Sequence, residues 1–468
     1  MDYKSAIGKY YFLDDVAFIS DDRKEPVYIV GGFVRDLILN RICNEIDFLI
    51  VGNGIKFAED LAKKLKVKEI TVFKNFGTAH FDFENLSLEF VGARKESYSK
   101  NSRNPSVETG TLEDDIKRRD FTINSLAISI NKKDFGAVID LYNGIEDLKN
   151  KIIRTPLDPL KTFNDDPLRI MRAFRFASQL QFEIDQSALI AAQSMAERLN
   201  IISQERITDE FLKILASPKP SIGLKLMYEH GILKIIFPEL NNLAGVDQRN
   251  DFHHKDVFYH TCIVVDNIAN VSENLWLRFA ALVHDIAKPQ TKKFIEGTGW
   301  SFHGHEELGA RMMKSIFDRM KLPLSKLDYV EKLVRLHLRP IALVDEEVTD
   351  SAIRRLAVAA DEDLEDLITL CRADITSKNP SKVSRYLENY EIVMRKVVDV
   401  QEKDKLRAFQ SPVRGDEIMK VCGIPPSKLV GEIKTAIEEA ILDGKIGNNY
   451  PEAYDYFLKI KDDFLNTE

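Results

Sequence analysis

Apolar and polar positions along the chain change rhythm near residue 165. Before that point, short β-rich runs alternate with helical stretches. Val27–Val30 is a β-favouring run closed by Gly31 and Gly32, and Phe33 to Leu39 then reads as the start of a helix. Ile46–Val51 predicts a second strand, followed by Gly52-Asn53-Gly54 and an amphipathic helix over Phe57–Leu65. His80–Phe83 and Leu86–Val91 alternate with period two on either side of Glu84-Asn85, which predicts a hairpin. Arg94–Glu113 is polar, with Ser97, Ser99, Ser102 and Ser106 and no apolar period, and is expected to be a mobile loop. From Asp165 onward apolar residues recur at spacings of three and four, so the rest should be almost wholly helical. Gly and Pro mark breaks near Pro156–Pro159, Pro218–Pro220, Pro238–Asn250, Lys378–Pro380 and Gln410–Arg414.

Composition narrows the class. The 468 residues are 44% hydrophobic and 30% charged with 22 Gly and 16 Pro, which excludes collagenous and wholly disordered chains. No apolar stretch approaches the length of a membrane span, and Met1-Asp2-Tyr3-Lys4 lacks the flank and apolar run of a signal peptide, so no membrane partner and a cytoplasmic location are expected. Cys43, Cys262, Cys371 and Cys422 lie far apart without a CxxC pair and are expected to be reduced packing residues. With 66 Lys+Arg against 74 Asp+Glu the net charge is −8, which does not advertise a nucleic-acid binder; local distribution decides that question.

The first cluster of candidate chemistry follows the first strand. Gly31 and Gly32 sit between a strand and a helix, where backbone amides can approach a phosphate, and Arg35 and Asp36 follow, Arg35 offering a donor fork for the same anion. Glu45 and Asp47 open the next strand, and period two puts both carboxylates on one face. Paired acids on a rigid strand suit Mg²⁺ under a nucleoside triphosphate, and Glu89 on a neighbouring strand would complete a two-metal site. The competing reading is a turn with solvated acids. The stretch Asp114–Ser125 shifts the weight, because Arg118, Arg119, Asp120 and Asn124 follow one another closely.

With these residues the chain resembles the class II tRNA nucleotidyltransferases, the CCA-adding enzymes, and the related bacterial poly(A) polymerases. Gly31–Asp36, the strand acid pair, Arg118–Asn124 and Asp140–Leu148 look like family motifs in family order. The resemblance implies that Glu45 and Asp47 bind catalytic Mg²⁺ with Glu89 assisting. It further implies that Gly32, Arg35 and Arg119 hold the triphosphate, and that Asp120 and Asn124 help to position the sugar. One departure is Glu45, where the family usually has Asp.

Asp165-Asp166-Pro167 opens a helix running through Phe176, with Asp166 and Arg169 as neighbours on one face. Taken alone this is an ordinary ion pair. In the resemblance it is the element that reads the Watson–Crick edge of CTP or ATP. The carboxylate accepts from the exocyclic amine common to both bases, and the guanidinium donates beside it. Arg172 and Arg175 extend the basic face toward phosphates. Ser203 is a candidate N-cap for a helix that carries Glu205 and Arg206, whose expected role is scaffolding of the nucleotide pocket.

A third cluster is His260, His284, Asp285, His305, His337 and Asp374, with His284 and Asp285 placed inside a helix over Phe279–Ala287. Its order looks like the HD metal-dependent phosphohydrolases. His260, His284, Asp285 and Asp374 would supply one metal site and His305 and His337 a second, for Mn, Ni, Fe or Zn. The competing reading is an HD fold kept as a scaffold. His230, His253 and His254 read as surface or packing residues. Near the C-terminus two helices around Gly423–Pro426 suggest a phosphate-gripping turn or a plain helical hairpin. Lys378, Lys382, Arg385, Arg395 and Lys396 would dock tRNA or form a solvated face.

The expected fold is an α+β nucleotidyltransferase head with a polymerase-β-like small sheet, followed by a mostly all-α neck, body, HD domain and tail. The expected divisions are a head over 1–158, a nucleotide-selecting and RNA-binding neck and body over 159–255, an HD domain over 256–377 and a tRNA-binding tail over 378–468. The implied activity is template-independent, Mg²⁺-dependent addition of CCA to the tRNA 3′ end from CTP and ATP, with an accessory HD phosphohydrolase. The alternative is a poly(A) polymerase or an enzyme adding only A or only C. Oligomeric state is not legible.

Overall fold

The computed structural model describes residues 3–74, 77–97, 106–246, 256–296, 299–343, 349–376, 379–404 and 411–465. They divide into two compact units, Met1–Pro238 and Glu239–Glu468.

The first unit begins as an α+β layer. Its strands are β1 (Val27–Val30), β2 (Glu45–Ile50), β3 (Thr71–Phe73), β4 (Thr78–Phe83), β5 (Leu86–Gly92), β6 (Arg94–Ser97), β7 (Ser106–Thr109), β8 (Leu126–Ser129) and β9 (Val138–Asp140). Seven of them form one sheet in the order β3-β4-β5-β2-β1-β8-β9. Neighbours are antiparallel except β2 and β5, which run parallel. Alternation along β2 and β5 sends Phe48 and Phe90 to one face, where their rings stack at 4.9 Å and Phe57 of the Gly54–Leu65 helix packs 6.3 Å from Phe90. Burying an aromatic ring of this size contributes roughly 1.5–3 kcal/mol. On the other face Val30, Leu49, Ala93, Ile116 and Ala127 make a smaller core. Beyond its edge Glu45, Asp47 and Glu89 remain at least partly open to solvent.

The expectation of a mobile loop over Arg94–Glu113 does not hold for its described part. β6 and β7 pair antiparallel, with Arg94 opposite Thr109 and Ser97 opposite Ser106. Backbone N–H and C=O groups pair whatever the side chains are, so a polar hairpin leaves no period-two signal. Residues 98–105 lie outside the described residues. The Leu112–Lys117 helix follows, started by a capping box between Thr111 and Asp114. That Thr-x-x-Asp spacing was a readable start signal.

Past residue 165 the chain is helical, with small exceptions. Glu183–Ile184 pairs in parallel with Ile152–Ile153, and Lys293–Ile295 forms a ribbon with Gly299–Ser301. Runs of two or three residues are too short to show a period. The second unit contains the helices Val257–Val271, Leu275–Val283, His305–Met320, Leu327–Leu336 and Leu364–Asp374. Its C-terminal helices Gly415–Cys422, Lys428–Leu442 and Tyr450–Leu465 close on a core of Val413, Ile418, Ile433, Ile437, Ala453 and Phe457. The two helices expected around Gly423–Pro426 are observed, with a third helix added. Lys382, Arg385 and Arg395 are exposed on the Pro380–Asp404 helix, and Lys378 lies outside the described residues.

Candidate functional site

Register sets the acidic edge of the first site. Asp47 stands opposite Val30 on β1 and beside Glu89 on β5. Glu45 and Asp47 line a cavity of about 810 Å³ together with Gly31, Gly32, Arg35, Arg119, Asp120, Asn124, Asp166, Arg169, Arg172 and Arg175. Glu89 is exposed and lies outside that wall. Burial, then the charge of Glu89, pushes the Asp47 carboxyl up to about 6, with Arg119 opposing and Glu45 adding. Hard carboxylate oxygens on a rigid strand, with a third acid on the neighbouring strand, fit Mg²⁺.

Of the two glycines, the chain itself demands only Gly31. Its φ is 76°, and a Cβ there would stand 2.8 Å from Arg119 Nη1, whereas at Gly32 a Cβ would meet Arg35 Nη2 at an ordinary 3.7 Å. The expectation that both amides are available for a phosphate fails at Gly31, whose N–H is given to Leu126 O at 3.2 Å. The sheet claims that donor, so Gly31 contributes close approach rather than an amide.

The basic wall is a connected network. Arg35 forks onto Asp36 at 3.0 and 2.7 Å and donates through Nη1 to Asn124 Oδ1 at 2.9 Å. Asn124 donates to Asp120 Oδ1 at 3.0 Å, and Arg172 Nε donates to Asp120 Oδ2 at 2.6 Å. Buried Arg175 donates to Glu210 Oε1 at 3.0 Å. The guanidiniums of Arg35, Arg172 and Arg175 all stand over the Phe176 ring, at 5.2, 5.5 and 4.5 Å from its centre. Burial opposes the charge on Asp120, yet Arg172, Asn124 and Arg169 hold its pKa down to about 2. Asp36 is absent from the cavity wall and acts by gripping Arg35.

The Leu168–Leu180 helix starts after Pro167, and Asp166 Oδ1 accepts from Leu168 N at 3.1 Å. The simple Asp166–Arg169 ion pair does not form. Arg169 donates instead to the carbonyls of Thr162 and Arg118, at 3.2 and 2.6 Å. Asp166 lies 3.5 Å from Arg206. Both Asp166 and Arg169 face the cavity, oriented by other parts of the chain. Arg206, expected as scaffold, is itself in the wall, as is Arg118 of the Arg118–Asn124 motif, which was given no role, and as are Phe176, Gln179 and Lys213, which sequence reasoning passed over. They come from three separate segments, so no local spacing could have grouped them. Ser203 stands at the N-cap of the Gln204–Leu215 helix without a side-chain capping bond.

The second unit gathers the predicted histidines and aspartates. His284 and Asp285 are not inside a helix over Phe279–Ala287; the Leu275–Val283 helix stops there and the pair occupies the following turn. The helix end frees carbonyls, and His284 Nδ1 donates to Ala281 O at 2.8 Å. His305 on Phe302 O at 2.8 Å and His337 on Val334 O at 2.6 Å use the same device, and His260 Nδ1 meets Thr376 Oγ1 at 3.0 Å. Every Nε2 is thereby turned inward. His260 Nε2 lies 2.7 Å from Asp374 Oδ1, His284 Nε2 3.2 Å from Asp285 Oδ2, and His305 Nε2 3.2 Å from Asp285 Oδ1 and 3.3 Å from His337 Nε2. Among the described residues two groups bring ligand atoms within 4.8 Å of one another: His260, His284 and Asp285, and Asp285, His305 and His337.

The buried Nε2 of His284 finds no well-formed hydrogen bond. Burial works against its charge, but Asp285 and Asp374 hold its pKa up to about 10, while burial and the His284 charge push His337 down to about 3. Lys288 Nζ lies 2.7 Å from Asp285 Oδ2. Inward imidazoles, an orphaned nitrogen and two carboxylates fit a divalent transition metal. His253 and His254 lie outside the described residues.

Residues 27–154 match the poly A polymerase head domain, 181–243 the probable RNA and SrmB-binding site of polymerase A, and 257–379 the HD domain. The A-adding tRNA nucleotidyltransferase of Deinococcus radiodurans is 33% identical over 346 residues, covering 72% of this chain and 76% of that protein. The multifunctional CCA protein of Tolumonas auensis is 30% identical, covering 77% and 87%. A tRNA nucleotidyltransferase solved with a primer tRNA and an ATP analogue superposes with a TM-score of 0.59 at 26% identity, covering 81% of this chain and 99% of that one. A CCA-adding enzyme in an apo form shares the fold at a TM-score of 0.63 and 24% identity, covering 99% and 96%. Among the described residues no helix is long and apolar enough to cross a membrane. With a sheet-borne acid pair facing an arginine-lined cavity in one unit and an HD centre in the other, this chain belongs to the tRNA nucleotidyltransferase and poly(A) polymerase family.

Proposed function

We propose that this chain completes the CCA end of tRNA, adding C, C and A from CTP and ATP without a nucleic-acid template. The observation that carries the reading is the cavity itself: Glu45 and Asp47 line it together with seven arginines, Arg169 among them, and with Asp166. That combination joins an edge for phosphoryl transfer to an edge for base reading.

In the reaction the 3′-hydroxyl oxygen of tRNA attacks the α-phosphate of the bound nucleotide, the bond to the β-phosphate breaks, and pyrophosphate leaves. Glu45 and Asp47, with Glu89 beside them, would hold Mg²⁺, which acidifies the hydroxyl and offsets phosphate charge. The chain's own residues do the rest. Arg35 and Arg119 hold the triphosphate near Gly32. Asn124, fixed between Arg35 and Asp120, orients the sugar. Asp166 accepts from the exocyclic amine that cytosine and adenine share, and Arg169 donates beside it. Arg206, 3.5 Å from Asp166 Oδ2, keeps that carboxylate turned to the cavity. The histidine box supports an accessory metal-dependent phosphohydrolase. Division at 158, 255 and 377 and a cytoplasmic location complete the proposal. Phosphate contacts supply tRNA affinity, so binding should weaken steeply with salt.

A-only addition is the second reading, favoured by the name of the Deinococcus relative. Purified chain incubated with tRNA ending before CCA, after C and after CC, with each nucleotide alone, separates the two. Two C residues from CTP followed by one A from ATP support CCA addition. A joining only tRNA that already ends in CC supports the second reading, and A-tailing of unrelated RNA without C addition sinks both.

A further inference from the structure

Asp115 lies in the Leu112–Lys117 helix, whose start the capping box holds in place. Its carboxylate is wholly buried. Oδ1 accepts from Arg118 Nε at 2.9 Å, and Oδ2 accepts from Arg119 Nε and Nη2 at 3.2 and 3.1 Å. Both guanidiniums are in the cavity wall, while Asp115 is not. Arg119 Nη1 donates to Asn124 O at 3.4 Å. The point where a Gly31 Cβ would stand is 2.8 Å from that same nitrogen and 3.6 Å from Asp47 Oδ2. Arg119 is thus placed between a buried acid and the acid of the phosphoryl-transfer edge. Two adjacent guanidiniums repel, and each relaxes onto the nearest carboxylate. Freed from Asp115, Arg119 has Asp47 on its other side, and a guanidinium drawn there would occupy the place a cation needs.

We propose that Asp115 is a positioning residue that spreads Arg118 and Arg119 into a fixed pair for the phosphate tail of a nucleoside triphosphate and keeps Arg119 off Asp47. It touches no substrate. The inference rests on the triphosphate reading of the cavity, and direct binding separates the two. Calorimetry on the full chain uses tripolyphosphate, ATP and AMP as probes. If the unaltered chain binds no tripolyphosphate, the cavity reading itself fails. If it binds, Asp115→Asn should weaken tripolyphosphate and ATP by about tenfold, the size of a lost charge-assisted contact, and AMP by less than about twofold. Unchanged tripolyphosphate affinity, or equal losses for all three probes, overturns the inference. Should Asp115→Asn melt below the assay temperature, Arg119→Lys serves instead, because it keeps the charge but cannot fork onto Asp115. The same tripolyphosphate-selective loss is expected there, and an unchanged affinity overturns the inference.

Discussion

Arg35, Arg119, Arg169, Arg172 and Arg175 surround an open cavity in the first unit, each held by an acid, an amide or a carbonyl. In the second unit His260, His284, His305 and His337 are almost fully buried around Asp285 and Asp374, with Lys288 bonded to Asp285. Both regions concentrate charge that water would otherwise solvate, and they stabilise it differently. A polyanionic substrate must enter and leave at each turnover, so its partners are charged in advance and kept apart by internal counter-ions such as Asp120. The residues that could hold a metal in the second unit are buried instead, and the Nε2 of His284 among them finds no well-formed hydrogen bond. The difference teaches that an open site keeps its charges apart through separate pairs such as Asp120 with Arg172, whereas the buried one crowds imidazoles and carboxylates together with Lys288 as a flanking cation.

The comparison breaks most sharply if one region serves both chemistries. Asp47→Asn should lower nucleotide addition by at least about 10³-fold, the scale of losing a principal transition-state contact, while leaving the transition-metal content of the purified chain unchanged. Loss of both would show that the two centres are not independent. The next effect is on stability. Arg172→Ala strands the buried Asp120 carboxylate and should cost about 3–5 kcal/mol in denaturant unfolding. The pH dependence has a definite sign, because the folded pKa of Asp120, about 2, lies below its ordinary 3.8. Its contribution is present above pH 4 and is lost as pH falls toward 2. That acid-side slope should flatten in the variant, and an unchanged slope would sink the account of Asp120.

Thr376→Val removes the partner of His260 Nδ1 and should weaken divalent metal binding, followed by titration with a chelator, about 10–100-fold. Nucleotide addition should be unaffected, so a fall there would count against a metal role confined to the box. The smallest effect belongs to Arg206→Ala, whose partly exposed pair with Asp166 contributes about 0.2–1 kcal/mol to stability. Its signature is instead a loss of preference for CTP and ATP over UTP and GTP. Unaltered selectivity would return Arg206 to scaffolding.

Much of the architecture could be read directly. The strands carrying Asp47 and Glu89 showed their period because one face of each packs Phe48 and Phe90. The box ligands showed through residue type, since His and Asp in apolar surroundings are costly without a partner. The β6–β7 hairpin was missed because its polar strands carry no alternation. The pairing of Asp166 with Arg206, forty residues away, was missed because helical spacing offered the nearer Arg169 instead.

What the sequence determined alone is what short-range physics enforces: period-two strands, helical spacing after residue 165, the glycine at Gly31 and the residue types able to bind phosphate or metal. The tertiary structure alone decided which charges meet. Asp115 chose Arg118 and Arg119, Asp120 chose Arg172, and Arg169 settled on two carbonyls. Electrostatic partners are selected by distance and burial across the folded chain, and a linear order of residues encodes neither.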